Sequence, residues 1–232
     1  MRIAFVTCFH GRTWLSQLWH KHTARHGPIF AAASSGDEDT LTWAESQGLN
    51  VDIGENQPLG AKHNRALALA LKDDRWDAVM ILPSDDFVEP IYLEAVRHEL
   101  RQGADYIAPA SCGMVDVATG KACILRHATW TGTLKFGAGR VLSRKAVEHI
   151  GELWTPGKAR GLDTDSHAHI LAHGYTAKVI DLGPDVPCLT DVKTETNIWP
   201  YRQWAIRGKP STVDRALGFV DAEITEAILR RR

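Results

Sequence analysis

Short apolar runs alternate along this chain with longer stretches in which apolar residues return every three or four positions. Residues 3–7, 29–33, 49–53, 78–82, 106–109 and 177–182 are the apolar runs, and each reads as a strand. The run Ala78-Val79-Met80-Ile81-Leu82 shows no polar alternation, so it predicts a strand buried on both faces in a parallel sheet. Helical spacing appears between the runs. Trp14, Leu15, Leu18 and Trp19 mark a helix that Gly27-Pro28 ends, residues 41–47 a second that stops at Gly48, and residues 60–71 a third. Pro90 suits the first turn of a fourth, with Leu93, Val96 and Leu100 as its buried stripe and Gly103 as its stop. This repeated alternation through residue 109 predicts a doubly wound α/β half.

The texture then changes. Residues 110–135 hold β-leaning pieces around Met114-Val115-Asp116-Val117 and Ala122-Cys123-Ile124-Leu125, with turn signals at Thr119-Gly120 and Thr131-Gly132, and predict an antiparallel hairpin region. Ser143 reads as the N-cap of a helix over 144–150 that Gly151 ends. Thr164 or Asp163 reads as the cap of another that ends at Gly174. After the strand at 177–182 comes an irregular stretch through Tyr201, and Leu217, Val220, Ile224 and Ile228 then mark a carboxy-terminal amphipathic helix.

Composition adds bounds. With 232 residues, 44% apolar and 24% charged, the chain is an ordinary globular protein, read as one domain. A formal charge of -1 predicts no general attraction to nucleic acid or acidic membranes, although Arg230-Arg231-Arg232 is a local basic tail. Four scattered cysteines without a CxxC pair suggest neither a zinc knuckle nor a disulfide scaffold, and fit reduced thiols. The first apolar run is too short for a signal peptide or a membrane span, so a cytoplasmic location is expected.

Candidate chemistry gathers at the carboxyl end of the central run, where open α/β sheets bind ligands. Ser84-Asp85-Asp86 places two adjacent carboxylates there, which suits a divalent metal and a diphosphate, or else a turn that caps the helix after Pro90. The helix starting Gly60-Ala61-Lys62-His63-Asn64 offers an amino terminus and a lysine to an anion. Trp154-Thr155-Pro156-Gly157-Lys158-Ala159-Arg160 reads as a mobile basic and aromatic loop that closes over the same anion, or as a plain linker. Asp165 and His169 lie one turn apart on one helix face.

With these residues in hand, the chain resembles the family 2 type of GT-A glycosyltransferase over roughly residues 1–182. Ser34-Ser35-Gly36-Asp37-Glu38-Asp39-Thr40 resembles the nucleotide loop after the second strand, Gly60 to Asn64 the glycine-and-asparagine helix start, Ser84-Asp85-Asp86 the DxD-type motif, and Gly161-Leu162-Asp163-Thr164-Asp165 the acidic ED segment. The resemblance implies a three-layer sandwich with a mostly parallel central sheet, divided into a nucleotide-binding half (1–109), an acceptor and catalytic half (110–182) and a carboxy-terminal extension (183–232). It implies sugar transfer from a nucleoside-diphosphate donor, a UDP-sugar foremost, to a hydroxyl acceptor: a glycan, a small molecule or a modified nucleic-acid base. By this resemblance Mn²⁺ or Mg²⁺ is bound by Asp86 with Asp85, and a late histidine completes the metal shell, His169 first among the candidates His167, His169 and His173. Asp163 is the general base. Asp37 or Asp39 meets the uracil or ribose of the donor and Lys62 or Arg160 its phosphates, with Ser35, Asn64 and Asp85 also among the donor-binding residues. Two motifs depart from the pattern: Leu162 stands where an acid usually precedes the base, and no QxxRW-type segment is present, so a processive membrane polymerase is not expected. A sugar nucleotidyltransferase or a non-catalytic nucleotide-sugar-binding module are the competing readings. Trp130, Trp154, Trp199 and Tyr201 are candidates to stack on a sugar or a base.

Overall fold

The computed structural model describes residues 1–126, 136–197 and 200–231. Trp130, the Thr131-Gly132 turn signal and Trp199 lie outside them. Among the described residues the strands are β1 (Ile3–Phe9), β2 (Ile29–Ser34), β3 (Asn50–Gly54), β4 (Ala78–Ile81), β5 (Asp86–Val88), β6 (Tyr106–Pro109), β7 (Ser111–Asp116), β8 (Lys121–Arg126), β9 (Val141–Ser143), β10 (Lys178–Ile180), β11 (Leu189–Lys193) and β12 (Lys209–Ser211). The helices are α1 (Thr13–Thr23), α2 (Glu38–Ser46), α3 (Leu59–Leu71), α4 (Pro90–Arg101), α5 (Arg144–Ile150), α6 (Leu162–Ala172), α7 (Tyr201–Ala205), α8 (Val213–Leu217) and α9 (Ala222–Leu229).

Seven strands form the central sheet in the order β10-β6-β9-β4-β1-β2-β3. It is mostly parallel, with β9 running antiparallel between β4 and β6. Successive residues of its inner strands enter different cores. Ile3, Phe5, Ala31 and Met80 join one apolar cluster with Leu15, Trp43 and Leu93 of α1, α2 and α4. Ala4, Val6, Phe30, Ala32, Val79 and Ile81 join the other, with Leu67, Val147 and Ile170 of α3, α5 and α6. Burial on both faces explains why these strands lack polar alternation.

A second sheet of five strands runs β12-β8-β7-β11-β5. The β7–β8 hairpin is the one the sequence predicts, with Met114 opposite Cys123. The other strands differ from expectation. Asp86 does not cap the helix after Pro90; it opens β5, and the cap is the Glu89 side chain, which accepts from the Ile91 N–H. The stretch read as irregular after residue 183 contains β11, which pairs antiparallel with β5 and parallel with β7. The carboxy-terminal helix is broken in two at Gly218, although Leu217, Val220, Ile224 and Ile228 are all buried as the spacing requires. Gly161, in the left-handed region at φ 69°, precedes α6 in place of a capping Thr164 or Asp163. No helix among the described residues is long and apolar enough to cross a membrane.

Candidate functional site

The two sheets meet at the end of β4. Asp85 and Asp86 follow it, both buried, and β11 brings Asp191 directly opposite Asp86. Cross-strand partners project to the same face, so two carboxylates stand side by side. Lys193, buried on the same strand, donates to Asp191. Arg12, from the loop after β1, donates to Asp85 at 2.8 Å, and Asn197 donates to the same oxygen at 2.8 Å.

These partners divide the acids. Burial pushes all three carboxyls up; for Asp85 the charges of Arg12 and Lys193 and the bonds from Arg12 and Asn197 outweigh it, so that group is held below the ordinary carboxylate range. Asp86 goes the other way. Burial and the neighbouring charges of Asp191 and Asp85 raise it well above that range, and Lys193 offsets only part. Asp191 is raised by burial, against the pull of Lys193. One oxygen of Asp86 and one of Asp191 are enclosed without a hydrogen-bond partner. Two orphaned carboxylate oxygens on facing strands are a donor set suited to a hard cation.

Asp163 is close enough for its charge to act on Asp86. The residue as a whole is exposed, while protein packed around its carboxyl raises its pKa, a burial effect countered by the Arg140 charge and a bond from the Gly137 N–H. The fit against Gly137 is close: a Cβ there would lie 1.9 Å from Asp163 Oδ1. The fully buried Arg140 guanidinium donates to the Asp163 carbonyl at 2.7 Å and to Ser166 Oγ at 3.0 Å, which fixes the first turn of α6.

The nucleoside-loop residues lie at the carboxyl end of β2 and beyond it. Ser35 is exposed. Asp37 caps α2 through Thr40 and accepts from the Gly11 N–H at 2.6 Å, so it ties two loops together. Asp39 lies on α2 and lines a groove against Thr13, Trp14 and Gln17 of α1.

The α3 residues are placed differently from the sequence expectation. Lys62 is fully buried, and its ammonium donates to Phe9 O, Ser34 Oγ and Asn56 Oδ1 at 2.7, 2.8 and 2.9 Å. All three donors are spent inside the protein, so none reaches a phosphate. Asn64 brackets the Trp154 backbone, donating to its carbonyl and accepting from its N–H. The first N–H groups of α3 are also taken: Gly60 and Ala61 donate to the carbonyls of Lys158 and Pro156. The loop 154–160, expected as a mobile cover for the anion or a plain linker, is thus fastened to the helix end through Pro156 and Lys158. Arg160 is exposed beyond it. Asp165 receives Thr155 and Lys158, and His169 packs on His173 with ring centroids 4.6 Å apart on the exposed side of α6. No three His, Cys, Asp or Glu side chains among the described residues converge as a complete metal cage, so His169 is not brought to the acidic pair.

Arg12, Asp191, Lys193 and Asn197 were not singled out from sequence. Leu189-Thr190-Asp191-Val192-Lys193 does not alternate apolar and polar residues, so the sequence carries no strand signal that would have found Asp191 and Lys193.

No protein-family model and no curated protein sequence matches the chain. Solved structures do. The inositol-1-phosphate CTP transferase from T. maritima superposes with a TM-score of 0.55 at 12% identity, over 98% of this chain and 95% of that one. The fold is GT-A-like. S. aureus TarS 1-349, solved in complex with UDP-GlcNAc, gives 0.57 at 12% identity, over 100% of this chain and 71% of that one. A longer S. aureus TarS structure gives 0.53 at 9% identity; there the match covers 83% of this chain and 37% of the larger protein.

Proposed function

We propose that this protein is a glycosyltransferase that takes a sugar from a nucleoside-diphosphate donor, a UDP-sugar foremost, and passes it to a hydroxyl acceptor. The observation that carries the reading is the pair of orphaned oxygens of Asp86 and Asp191, beside Asp163, at the carboxyl end of the central strand. Likeness to a protein solved with UDP-GlcNAc supports the donor class.

Asp86 and Asp191 would hold Mn²⁺ or Mg²⁺, with further oxygens from the diphosphate and water. Such an ion supplies charge neutralisation for a departing diphosphate. Arg12 and Asn197 keep Asp85 ionised and fixed, so it supports the pair electrostatically. Asp163 accepts the proton of the acceptor hydroxyl, its raised pKa making it a stronger base than an ordinary carboxylate. Ser35 and Asp37, at the carboxyl end of β2, are the candidates to meet the nucleoside, and exposed Arg160 the phosphates. Of the acceptor classes, a glycan or small molecule has more support than a nucleic acid: Arg230 is paired with Glu226 and Arg231 lies over Trp14, so neither forms a free basic patch.

A nucleotidyltransferase is the second reading, supported by the near full-length likeness to a CTP transferase. Against it, the cation in the loop after β1 is Arg12, which is committed to Asp85. Thermal shift against a panel of nucleotide sugars with and without Mn²⁺, followed by product analysis, separates the two. Release of a nucleoside diphosphate from a sugar nucleotide is the expected result. Release of pyrophosphate from a nucleoside triphosphate and a sugar phosphate would replace it with the second reading.

A further inference from the structure

The carboxyl end of α6 carries a cluster of imidazoles that the proposed reaction does not use. His169 and His173 are four positions apart, so their side chains share one side of the helix, and their ring centroids are 4.6 Å apart. His149, in the last turn of α5, meets His173 edge-on at 5.7 Å. His149 and His169 are exposed, and His173 is half-buried.

One hydrogen bond sets the tautomer. His173 Nδ1 donates to the His169 carbonyl at 2.9 Å, and because a carbonyl only accepts, Nδ1 holds the proton and the neutral ring keeps its lone pair on Nε2. Metal-bound histidines are arranged in this way, with the second ring nitrogen donating to a carbonyl or carboxylate. The ring separation also fits. Two imidazoles bound to one tetrahedral ion, with bonds of about 2.1 Å, have centroids about 5 Å apart. His149 Nδ1 is bonded to the Tyr175 hydroxyl at 2.8 Å. Three rings do not close into a cage among the described residues, so the chelate is the helical pair and water completes the shell.

We propose that His169 and His173 form a metal site separate from the acidic pair, which takes a d-block dication of the Zn²⁺ class. Imidazole suits such ions, whereas carboxylate oxygens suit Mg²⁺ and Mn²⁺, so the two sites differ in ligand class. They differ in place as well: His169 lies six residues beyond Asp163, a rise of about 9 Å along α6. The site does not depend on the glycosyltransferase reading. An ion held there staples the last turn of the helix whose first turn bears Asp163, and it stabilises the folded chain by mass action.

Isothermal titration of the untagged full chain with ZnCl₂, in an excess of Mg²⁺ that occupies carboxylates, tests this. Wild-type protein is expected to take up one equivalent of Zn²⁺ through the histidines and to melt at a higher temperature when loaded. His169→Ala and, separately, His173→Gln are each expected to weaken that uptake by about tenfold or more and to lose the rise in melting temperature. Asp86→Asn is expected to keep both. His169 is exposed and Ala favours a helix, so His169→Ala decides the matter if His173→Gln does not fold. Zn²⁺ uptake in His169→Ala equal to that of the wild type, or no uptake by the wild type, would overturn the site. Loss of uptake in Asp86→Asn alone would overturn it too, because the ion would then sit on the carboxylates.

Discussion

Asp86 and Asp191 face one another across the β5–β11 ladder, and each leaves one enclosed carboxylate oxygen without a partner. Like charges placed so are destabilising as far as Lys193 leaves them uncompensated. Asp86→Asn is therefore expected to stabilise the metal-free protein by about 1 kcal/mol in urea denaturation. The same change should remove the Mn²⁺-dependent part of the donor thermal shift. An unchanged Mn²⁺ effect would mean that the cation sits elsewhere.

Asp163 and Gly137 form a second linked pair. Asp163→Asn is expected to lower turnover by about 10²–10⁴ while donor binding stays intact. Gly137→Ala offers a subtler check, because the added Cβ would lie 1.9 Å from Asp163 Oδ1 and must displace the carboxylate. Turnover should fall with little change in the donor thermal shift. Wild-type turnover in both variants would exclude Asp163 as the base.

Lys193 is buried against Asp191, and the charges of Asp85 and Asp86 also act on it. Its pKa is driven up by those three acids against the opposing effect of burial. Lys193→Met leaves the acids without their internal cation and should cost about 3 kcal/mol of stability, measured by chemical denaturation. The double variant Lys193→Met/Asp191→Leu should recover much of that loss and still fail to bind donor with Mn²⁺.

Acid sensitivity has a source outside the acidic site. Burial lowers His63, stacked on Trp154, from the ordinary 6.5 to about 4, with the Lys62 charge adding to the effect. Burial likewise lowers His26 to about 4, helped by the charges of His22, Arg25 and Arg97. As pH falls, the unfolded chain takes up these protons first, so this contribution is whole above 6.5 and is lost progressively towards 4. The urea midpoint is expected to drop across that window, and His63→Phe should drop less. Parallel curves for the two proteins would assign the loss to other groups.

The pattern of the chain revealed the central sheet because its strands are buried on both faces, and it pointed to Asp85 and Asp86 because they end the most apolar of them. It did not reveal β5 or β11. One has three residues, and the other has five, with Pro184 and Pro187 shortly before it. Neither carries enough apolar repetition to stand out, and their pairing is non-local. Lys62 misleads for a different reason. A lysine near a helix start suggests an anion, yet Lys62, Ala66 and Ala70 share one core-facing side, and that spacing foretold an internal ammonium. The first turn of α3 misleads in the same way, since nothing in residues 59–64 indicates that distant carbonyls fill it.

Asn197 reaches Asp85 from 112 positions further along the chain, just beyond β11. The acidic motif is thus completed only by residues that come much later in the chain. A ribosome emitting the Ser-Asp-Asp stretch has made only one side of the acidic pair, and the other side leaves the exit tunnel after every strand of the central sheet. A transplant of residues 1–109 into another scaffold would carry the Ser-Asp-Asp motif and leave behind the strand that sets Asp191 opposite it.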